Sequence, residues 1–248
     1  MRAIDNAAAM SMGGATVAFP GLSAGIVNEA LPAFGAKRGV LLGSALPFGI
    51  SGWQAAHVQG FTRLGTNDGL ALGVDHSGIE GYREQQFRLV YGRRLGEKIY
   101  LGGGAHLLRV SADEYGSANG ATFSLGVLVR ALPELWLGAR LQNPFQQKVG
   151  AYAATGSLRI GAAWQPSNIF MLLAEVEKSP DRPAQVKAGV EYRPVEVLAV
   201  RTGVRTGGTA RFGFGAGVRL KNGLSLDAGS EWHPSLGMTP SAMVGWRI

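Results

Sequence analysis

The apolar positions of the chain follow a two-residue period from about Arg38 to the C-terminus. Each segment runs for about ten residues before a turn, which is the length of a tilted transmembrane strand. One face of the segment from 211 to 220 carries Phe212, Phe214, Ala216, Val218 and Leu220. Its other face is glycine between two arginines. Because successive side chains of a strand point to opposite faces, this pattern predicts β-strands with one apolar side.

The residues on the less apolar face of each predicted strand distinguish a membrane barrel from a soluble β-sandwich. A soluble domain would place Lys, Glu, Thr and Ser on the side that meets water, whereas here that side is mostly glycine with isolated Arg, Asp or Glu. Such residues suit the crowded interior of a small barrel. We therefore predict an all-β fold, a transmembrane antiparallel up-and-down β-barrel of about fourteen strands. The strands are expected near 38–46, 52–63, 69–77, 82–93, 97–110, 119–130, 134–142, 156–165, 168–177, 184–193, 195–205, 208–220, 223–232 and 239–248.

The predicted connections alternate between tight turns and longer loops. Tight turns follow the even-numbered strands, and Asn222-Gly223 is the strongest of them because type I′ turns need positive φ at both central positions. Outer-membrane barrels have short periplasmic turns and longer external loops, so both termini are expected on the periplasmic side. The longer connections are expected at 111–118, 143–155, 178–183 and 233–238.

Aromatic residues gather at the predicted strand ends and indicate two lipid interfaces. The group near the tight turns consists of Tyr91, Tyr100, Trp164, Phe170, Tyr192 and Trp246. The group near the longer loops consists of Trp53, Tyr82, Phe145, Tyr152 and Trp232.

Composition and charge exclude several classes of function. The chain of 248 residues has 38 glycines, no cysteine and a net charge of +7. Because Lys and Arg are dispersed and form no basic run, the charge predicts a lumen and a membrane rim rather than a nucleic-acid surface. The four histidines, His57, His76, His106 and His233, lie far apart without metal-ligand spacing. We expect no metal, no cofactor and no nucleic-acid partner, with outer-membrane lipid as the surroundings.

The first 36 residues lack the alternation of the rest of the chain. Residues 1–36 are predicted to form a plug in or under the lumen, and residues 37–248 the barrel. The opening also lacks the charged-then-apolar pattern of a secretory signal. A protein of the Gram-negative outer membrane needs such a signal for export, so we expect that it has been removed from this sequence.

Four plug residues are candidates for binding a ligand or the wall: Met12, Phe19, Asn28 and Phe34. Packing of the plug explains them equally well. The stretch Gly21-Leu22-Ser23-Ala24-Gly25 matches the G-x-S-x-G nucleophile elbow, but the required strand–turn–helix setting is missing. No serine can be paired with a histidine from the sequence, and we expect no enzymatic activity.

Charged residues on the glycine-rich face are predicted to line the lumen. In a narrow barrel opposite charges pair and fill the interior, since unpaired buried charge is costly. A charged ring that selects a permeating anion is the functional alternative. The predicted luminal charges are Arg88, Arg130, Arg140, Arg159, Arg211, Glu175, Asp227 and Glu231.

The N-terminal stretch Met12-Gly13-Gly14-Ala15-Thr16-Val17-Ala18 resembles the opening of the PorV/PorQ group of Bacteroidetes barrels, relatives of the FadL-type hydrophobic transporters. In that group an Asn-Pro-Ala-Leu segment follows, where this chain has Asn28-Glu29-Ala30-Leu31 with Glu in place of Pro. The stretch Gly189-Val190-Glu191-Tyr192-Arg193-Pro194 is also similar. The resemblance implies a fourteen-stranded barrel with its N-terminal segment in the lumen.

Two function classes follow from this resemblance. The first is a binding or structural barrel in an envelope or type IX secretion complex, with a plugged lumen and protein partners from the envelope or the secretion machinery. The second is a FadL-like passive transporter of small hydrophobic molecules, with an apolar pocket against the N-terminal segment. A lumen rich in Arg, Glu and Gly favours the first slightly. The sequence gives no oligomeric state.

Overall fold

The computed structural model describes residues 6–21, 27–150, 152–154 and 156–248. Its helical elements are short: α1 (Ala7–Ser11) and two 3-10 turns, Leu31–Ala33 and Pro47–Gly49. β8 (Lys148–Val149) and β9 (Tyr152–Ala153) form a separate two-stranded sheet that is not part of the barrel sheet. The wall strands are β1 (Arg38–Ala45), β2 (Gln54–Leu64), β3 (Asp68–Ile79), β4 (Tyr82–Leu95), β5 (Ile99–Ala112), β6 (Gly116–Leu132), β7 (Leu135–Gln142), β10 (Ser157–Trp164), β11 (Phe170–Lys178), β12 (Gln185–Val195), β13 (Leu198–Arg205), β14 (Arg211–Arg219), β15 (Leu224–His233) and β16 (Gly237–Arg247).

The wall strands close into one antiparallel barrel in which each strand pairs with its neighbours along the chain. The seam joins β1 to β16, from the Gly39–Arg247 pair to the Ala45–Ser241 pair. The predicted all-β barrel of fourteen up-and-down strands is therefore confirmed. Among the described residues, no helix is long and apolar enough to cross a membrane.

Strand alternation divides the side chains between an outer wall and a lumen. On β11, Leu172 and Val176 are exposed on the outside, whereas Leu173 and Glu175 are buried inside. The same division recurs around the barrel and leaves a continuous band of exposed Leu, Val, Ile and Phe on the outer wall. An apolar band of this kind is the surface that lipid covers in membrane barrels.

Of the six aromatic residues near the tight turns, four are exposed on the outer wall, Phe170 is half-buried and Tyr100 is buried. Tyr100 is only 6% exposed and points into the lumen, so its expected place at the lipid interface is wrong. It shares the inward face of β5 with Gly102 and His106, two and six residues further on. In the other aromatic group, near the longer loops, the side chain of Tyr152 lies outside the described residues. The exposed members of the group near the tight turns are Tyr91, Trp164, Tyr192 and Trp246.

Two of the connections predicted to be long are tight turns. β5 and β6 extend towards each other and leave only Asp113–Tyr115 between them, and β15 and β16 leave only residues 234–236. Gly116 and Gly237 adopt positive φ of 74° and 86° where the following strands begin, which allows these sharp reversals. The connection at 143–156 is long, and its Val149 packs inside the mouth of the barrel with Leu108 and Val110.

A charge placed on the outer wall tests whether that wall meets lipid. Leu72 is 58% exposed near the middle of β3, and Tyr115 is 86% exposed at a turn. Leu72→Arg should lower the free energy of unfolding in phospholipid vesicles by about 2–4 kcal/mol, because hydrocarbon solvates the guanidinium poorly. Tyr115→Arg, the control, should change it by less than about 0.5 kcal/mol in urea titrations. Equal effects of the two variants would show that the band does not contact lipid.

Candidate functional site

The described residues 6–21 and 27–36, here called the inner segment, run around the inside of the wall. α1 lies against β14 and β15. The segment then meets β12 and β13 at Met12, β7 and β10 at Val17, and β5 and β6 at Glu29. Because the next residues enter β1, the segment makes a loop within the lumen before the wall begins. The G-x-S-x-G stretch falls largely on residues 22–26, which lie outside the described residues.

Inward-facing glycines form the track on which the inner segment lies. At Gly102, an added Cβ would overlap the Glu29 carbonyl oxygen. At Gly189, it would stand 2.8 Å from the Met12 Cβ. Any larger side chain at these positions would push the segment off the wall, which explains the glycine-rich inner face. This glycine belt consists of Gly69, Gly92, Gly102, Gly126, Gly138, Gly161, Gly189, Gly203, Gly213, Gly215 and Gly229.

The belt is continuous across several strands because its glycines are directly paired. Gly92 on β4 pairs with Gly69 on β3 and with Gly102 on β5, and Gly102 pairs with Gly126 on β6. On the other side of the barrel, the row formed by Gly189, Gly203 and Gly213 crosses β12, β13 and β14 in the same way. Each row of paired glycines therefore forms a groove that crosses neighbouring strands on the inner wall, and the inner segment lies in these grooves.

Glu175 anchors the first half of the inner segment. Its carboxylate accepts the backbone N–H groups of Thr16 and Val17, both at 2.8 Å. The same carboxylate accepts from Arg159 Nε at 2.6 Å and from Lys187 Nζ at 2.7 Å. Since Glu175 is 2% exposed, these partners replace the water that an isolated carboxylate would need.

Glu29 anchors the second half. Its carboxylate accepts from Arg140 Nη2 at 2.8 Å and from the Ser124 hydroxyl at 2.6 Å. Burial by itself would raise the pKa of the Glu29 carboxyl, but Arg140 and these hydrogen bonds hold that pKa below its ordinary value. Glu29 is therefore the charged group that fixes this half of the inner segment to the wall.

Asn28 fixes the turn that precedes this anchor. Its side-chain Nδ2 donates to the carbonyl oxygens of Val17 at 2.8 Å and Val127 at 3.0 Å, and its Oδ1 accepts from Ala30 N–H at 3.0 Å. Asn28 thus joins both halves of the inner segment to β6. Of the other plug candidates, Met12 is fully buried between Gly189 and Gly203.

The structure pairs a serine with a histidine, which sequence reasoning did not foresee. Ser124 Oγ lies 2.6 Å from His106 Nε2, and both residues are at most 1% exposed. The Ser124 hydroxyl donates its proton to Glu29, so it accepts from the imidazole. A nucleophilic serine needs the opposite arrangement, in which the imidazole accepts the serine proton. In this arrangement Ser124 and His106 brace Glu29.

Most of the predicted luminal charges lie inside the barrel in ion pairs. Arg130 does not: it is exposed at the rim, donates to the Pro133 carbonyl oxygen at 2.9 Å and stacks on Trp136. A register shift after Arg130 in the β6–β7 pairing ends the regular alternation there. The luminal pairs are Arg88–Asp75 (2.7 Å), Arg140–Glu29 (2.8 Å), Arg159–Glu175 (2.6 Å), Arg201–Asp227 (2.5 Å) and Arg211–Glu231 (3.1 Å).

An aromatic site stands at the tight-turn end of this charged lumen. The Phe34 ring of the inner segment packs edge-on against Tyr100, with centroids 5.4 Å apart, and against Trp136, with centroids 4.9 Å apart. Tyr100 and Trp136 are 6% and 5% exposed. Phe19 is also buried in the apolar cluster that the inner segment forms with the wall. Sequence reasoning named Phe34 but missed its two wall partners, although Trp136 has inward parity on β7.

Within the residues that the structure describes, no group of three His, Asp or Glu side chains is placed to hold a metal ion. The chemistry that the lumen offers is therefore ion pairing, hydrogen bonding and aromatic contact.

No protein-family model matches the chain, and no curated protein is significantly similar to it. Among solved structures, the monoaromatic hydrocarbon channel CymD superposes with a TM-score of 0.76 at 13% identity, over 98% of this chain and 97% of that chain. The Pseudomonas putida toluene transporter TodX gives a TM-score of 0.72 at 12% identity, over 99% of each chain. A Pseudomonas aeruginosa FadL homologue gives 0.72 at 12% identity, over 98% of each chain. At such identities the likeness shows the fold: the chain has the FadL-type barrel fold.

A single methyl group on the belt should displace the inner segment. The Cβ of Gly102→Ala would collide with the Glu29 backbone, whereas Gly103, the next residue, faces outward and an added Cβ has 3.8 Å of room. In Gly102→Ala, the amides of residues 27–36 should exchange with solvent at least about tenfold faster, because the anchors at Asn28 and Glu29 are strained. Gly103→Ala is the matched control. Mass-spectrometric hydrogen exchange that finds both variants alike would contradict the role of the belt.

Proposed function

We propose that this chain is an outer-membrane channel for small hydrophobic molecules, closed by its inner segment. The observation that carries the proposal is the aromatic site of Tyr100 and Trp136, which Phe34 fills. A planar apolar molecule can take the place of the Phe34 ring when the inner segment moves. The apolar outer wall supports placement in a membrane.

The structural neighbours support a channel. CymD is described as a monoaromatic hydrocarbon channel and TodX as a toluene transporter, and both share the barrel over almost the whole chain. The luminal charges are compatible with this role because most are already paired with each other, which limits the field that a neutral solute meets. We infer that the solute class is small, apolar and planar.

A role in an envelope or secretion complex remains the second candidate. Its support is the sequence resemblance at residues 12–18 and 189–194 and the charged lumen. The neighbours described above are channels and transporters, so they favour transport. The long connection at 143–156 packs into the mouth through Val149, while its Phe145 is 70% exposed and is the apolar surface that such a partner would meet.

Removal of the Phe34 ring tests the proposed route. An aromatic contact of this kind is worth about 0.5–1.5 kcal/mol beyond its buried area. Its loss in Phe34→Ala should raise the population of displaced segment, and with it the initial rate of toluene uptake, by about tenfold. The assay is uptake of labelled toluene by Gram-negative cells that lack their own hydrocarbon channels, because lipopolysaccharide slows direct entry.

Phe87→Ala is the matched control, since Phe87 is 47% exposed on the outer wall of β4. It should leave the uptake rate at the wild-type level. Uptake by wild-type cells no faster than by cells without the barrel, together with no gain in Phe34→Ala, would refute the channel and return attention to a protein-binding role.

A further inference from the structure

Four buried polar side chains on the inner wall have hydrogen-bonding atoms without partners. His57 and Gln59 lie on β2, Asp75 on β3 and Arg88 on β4, and each is at most 4% exposed. The atoms without partners are both ring nitrogens of His57, both amide atoms of Gln59, Oδ2 of Asp75, and Nε and Nη1 of Arg88. Their one mutual bond joins Arg88 Nη2 to Asp75 Oδ1 at 2.7 Å. We call these four residues the β2–β4 polar cluster.

Strand pairing brings the cluster onto one surface. His57 pairs directly with Asp75 across β2 and β3. Gln59 and Arg88 both pair with Gly73, from opposite sides. Gly73 puts no side chain between Gln59 and Arg88, and an added Cβ there would stand 3.5 Å from Arg88 Nε. The orphaned atoms therefore lie side by side on one patch of the inner wall.

The described inner segment donates no hydrogen bond to this cluster and accepts none from it. On β3 and β4 it touches the wall at Gly69 and Gly92, nearer the tight-turn end. Elsewhere in the lumen, Glu29 and Glu175 carry full sets of partners. Since buried polar atoms in native proteins almost always have a partner, these atoms call for partners from outside the chain that supply both donors and acceptors.

An apolar surface adjoins the cluster. Phe61, Ala71 and Val90 form a small buried cluster on the same inner faces of β2, β3 and β4. Phe61 follows Gln59 by two residues, and Val90 follows Arg88 by two, so the polar and apolar parts are neighbours on one wall. Ala36 of the inner segment packs against this apolar cluster. A guest that displaces Ala36 meets hydrogen-bonding groups at one end and hydrocarbon at the other.

We propose that the β2–β4 polar cluster binds the hydroxyl group of a small hydrophobic molecule, with phenols as the chemical class. A hydroxyl both donates and accepts, as the orphaned atoms require. Asp75 disfavours a carboxylate guest and Arg88 disfavours an ammonium guest, while a bare hydrocarbon satisfies none of the atoms. The inference rests on the proposed function, because the guest is a solute of the channel.

The test compares 4-fluorophenol with 4-fluorotoluene, which differ only in a hydroxyl against a methyl group. The full chain is held in lipid nanodiscs, binding is followed by the 19F signal of each probe, and empty nanodiscs give the partition background. Gln59→Leu should weaken binding of 4-fluorophenol about tenfold, the effect of one lost hydrogen bond in a buried site. It should change the binding of 4-fluorotoluene by less than about twofold.

Gln85→Leu is the matched control, since Gln85 lies on β4 with outward parity next to the inward-facing Gln86. His57→Leu is a second test variant and should repeat the selective loss. The proposal is overturned if wild-type barrels bind 4-fluorophenol no better than empty nanodiscs, which would leave water as the only partner, or if Gln59→Leu weakens both probes equally. Binding of 4-fluorophenol in nanodiscs does not require that the solute cross the membrane. A failed toluene-uptake assay would therefore refute the proposed channel without refuting the proposed hydroxyl-binding site.

Discussion

The structure depends on one constraint: an irregular backbone buried inside a barrel must find partners for its polar groups on the wall. The described inner segment has five residues of α-helix in α1 and one 3-10 turn, so some of its N–H and C=O groups must find partners on the wall. Glu175 accepts two of those N–H groups, and Asn28 bonds three backbone positions. Such contacts require the backbone of the inner segment to lie close to the wall strands, and the glycine belt permits this close approach. The eleven glycines of the belt follow from this requirement.

The same constraint explains how charge is distributed. Arg140, Arg159 and Lys187 face carboxylates that themselves hold the inner segment, so the wall cations and the segment stabilise each other. Breaking one such buried pair by removing a single partner typically costs about 3–5 kcal/mol. Phe34, in contrast, is held by aromatic contacts alone among the interactions described for it. Movement of the inner segment is therefore easiest at its end near β1 and hardest at Glu29 and Glu175.

The alternation of residues was enough to predict the fourteen strands and to place residues such as Arg159, Glu175 and Asp227 on one face. It did not predict the partners, because pairing of Arg140 with Glu29 joins positions 111 residues apart that only the barrel register brings together. Tyr100 was misplaced because an aromatic residue at a strand end suits a lipid interface and a luminal site equally well. The turns at Asp113–Tyr115 and 234–236 were missed because polar and glycine residues there fit either a loop or the end of a strand.

The seam between β1 and β16 has a consequence for the order of folding. Arg38 and Ile248 exchange backbone hydrogen bonds in both directions, at 3.1 Å and 2.9 Å, and these residues come from the two ends of the wall. Neighbouring hairpins close short loops, whereas the seam closes a loop as long as the wall itself, at the largest entropic cost. Since the inner segment is continuous with β1, it is carried to its groove as that strand docks. Closure of the wall and placement of the inner segment are thus linked through the chain itself.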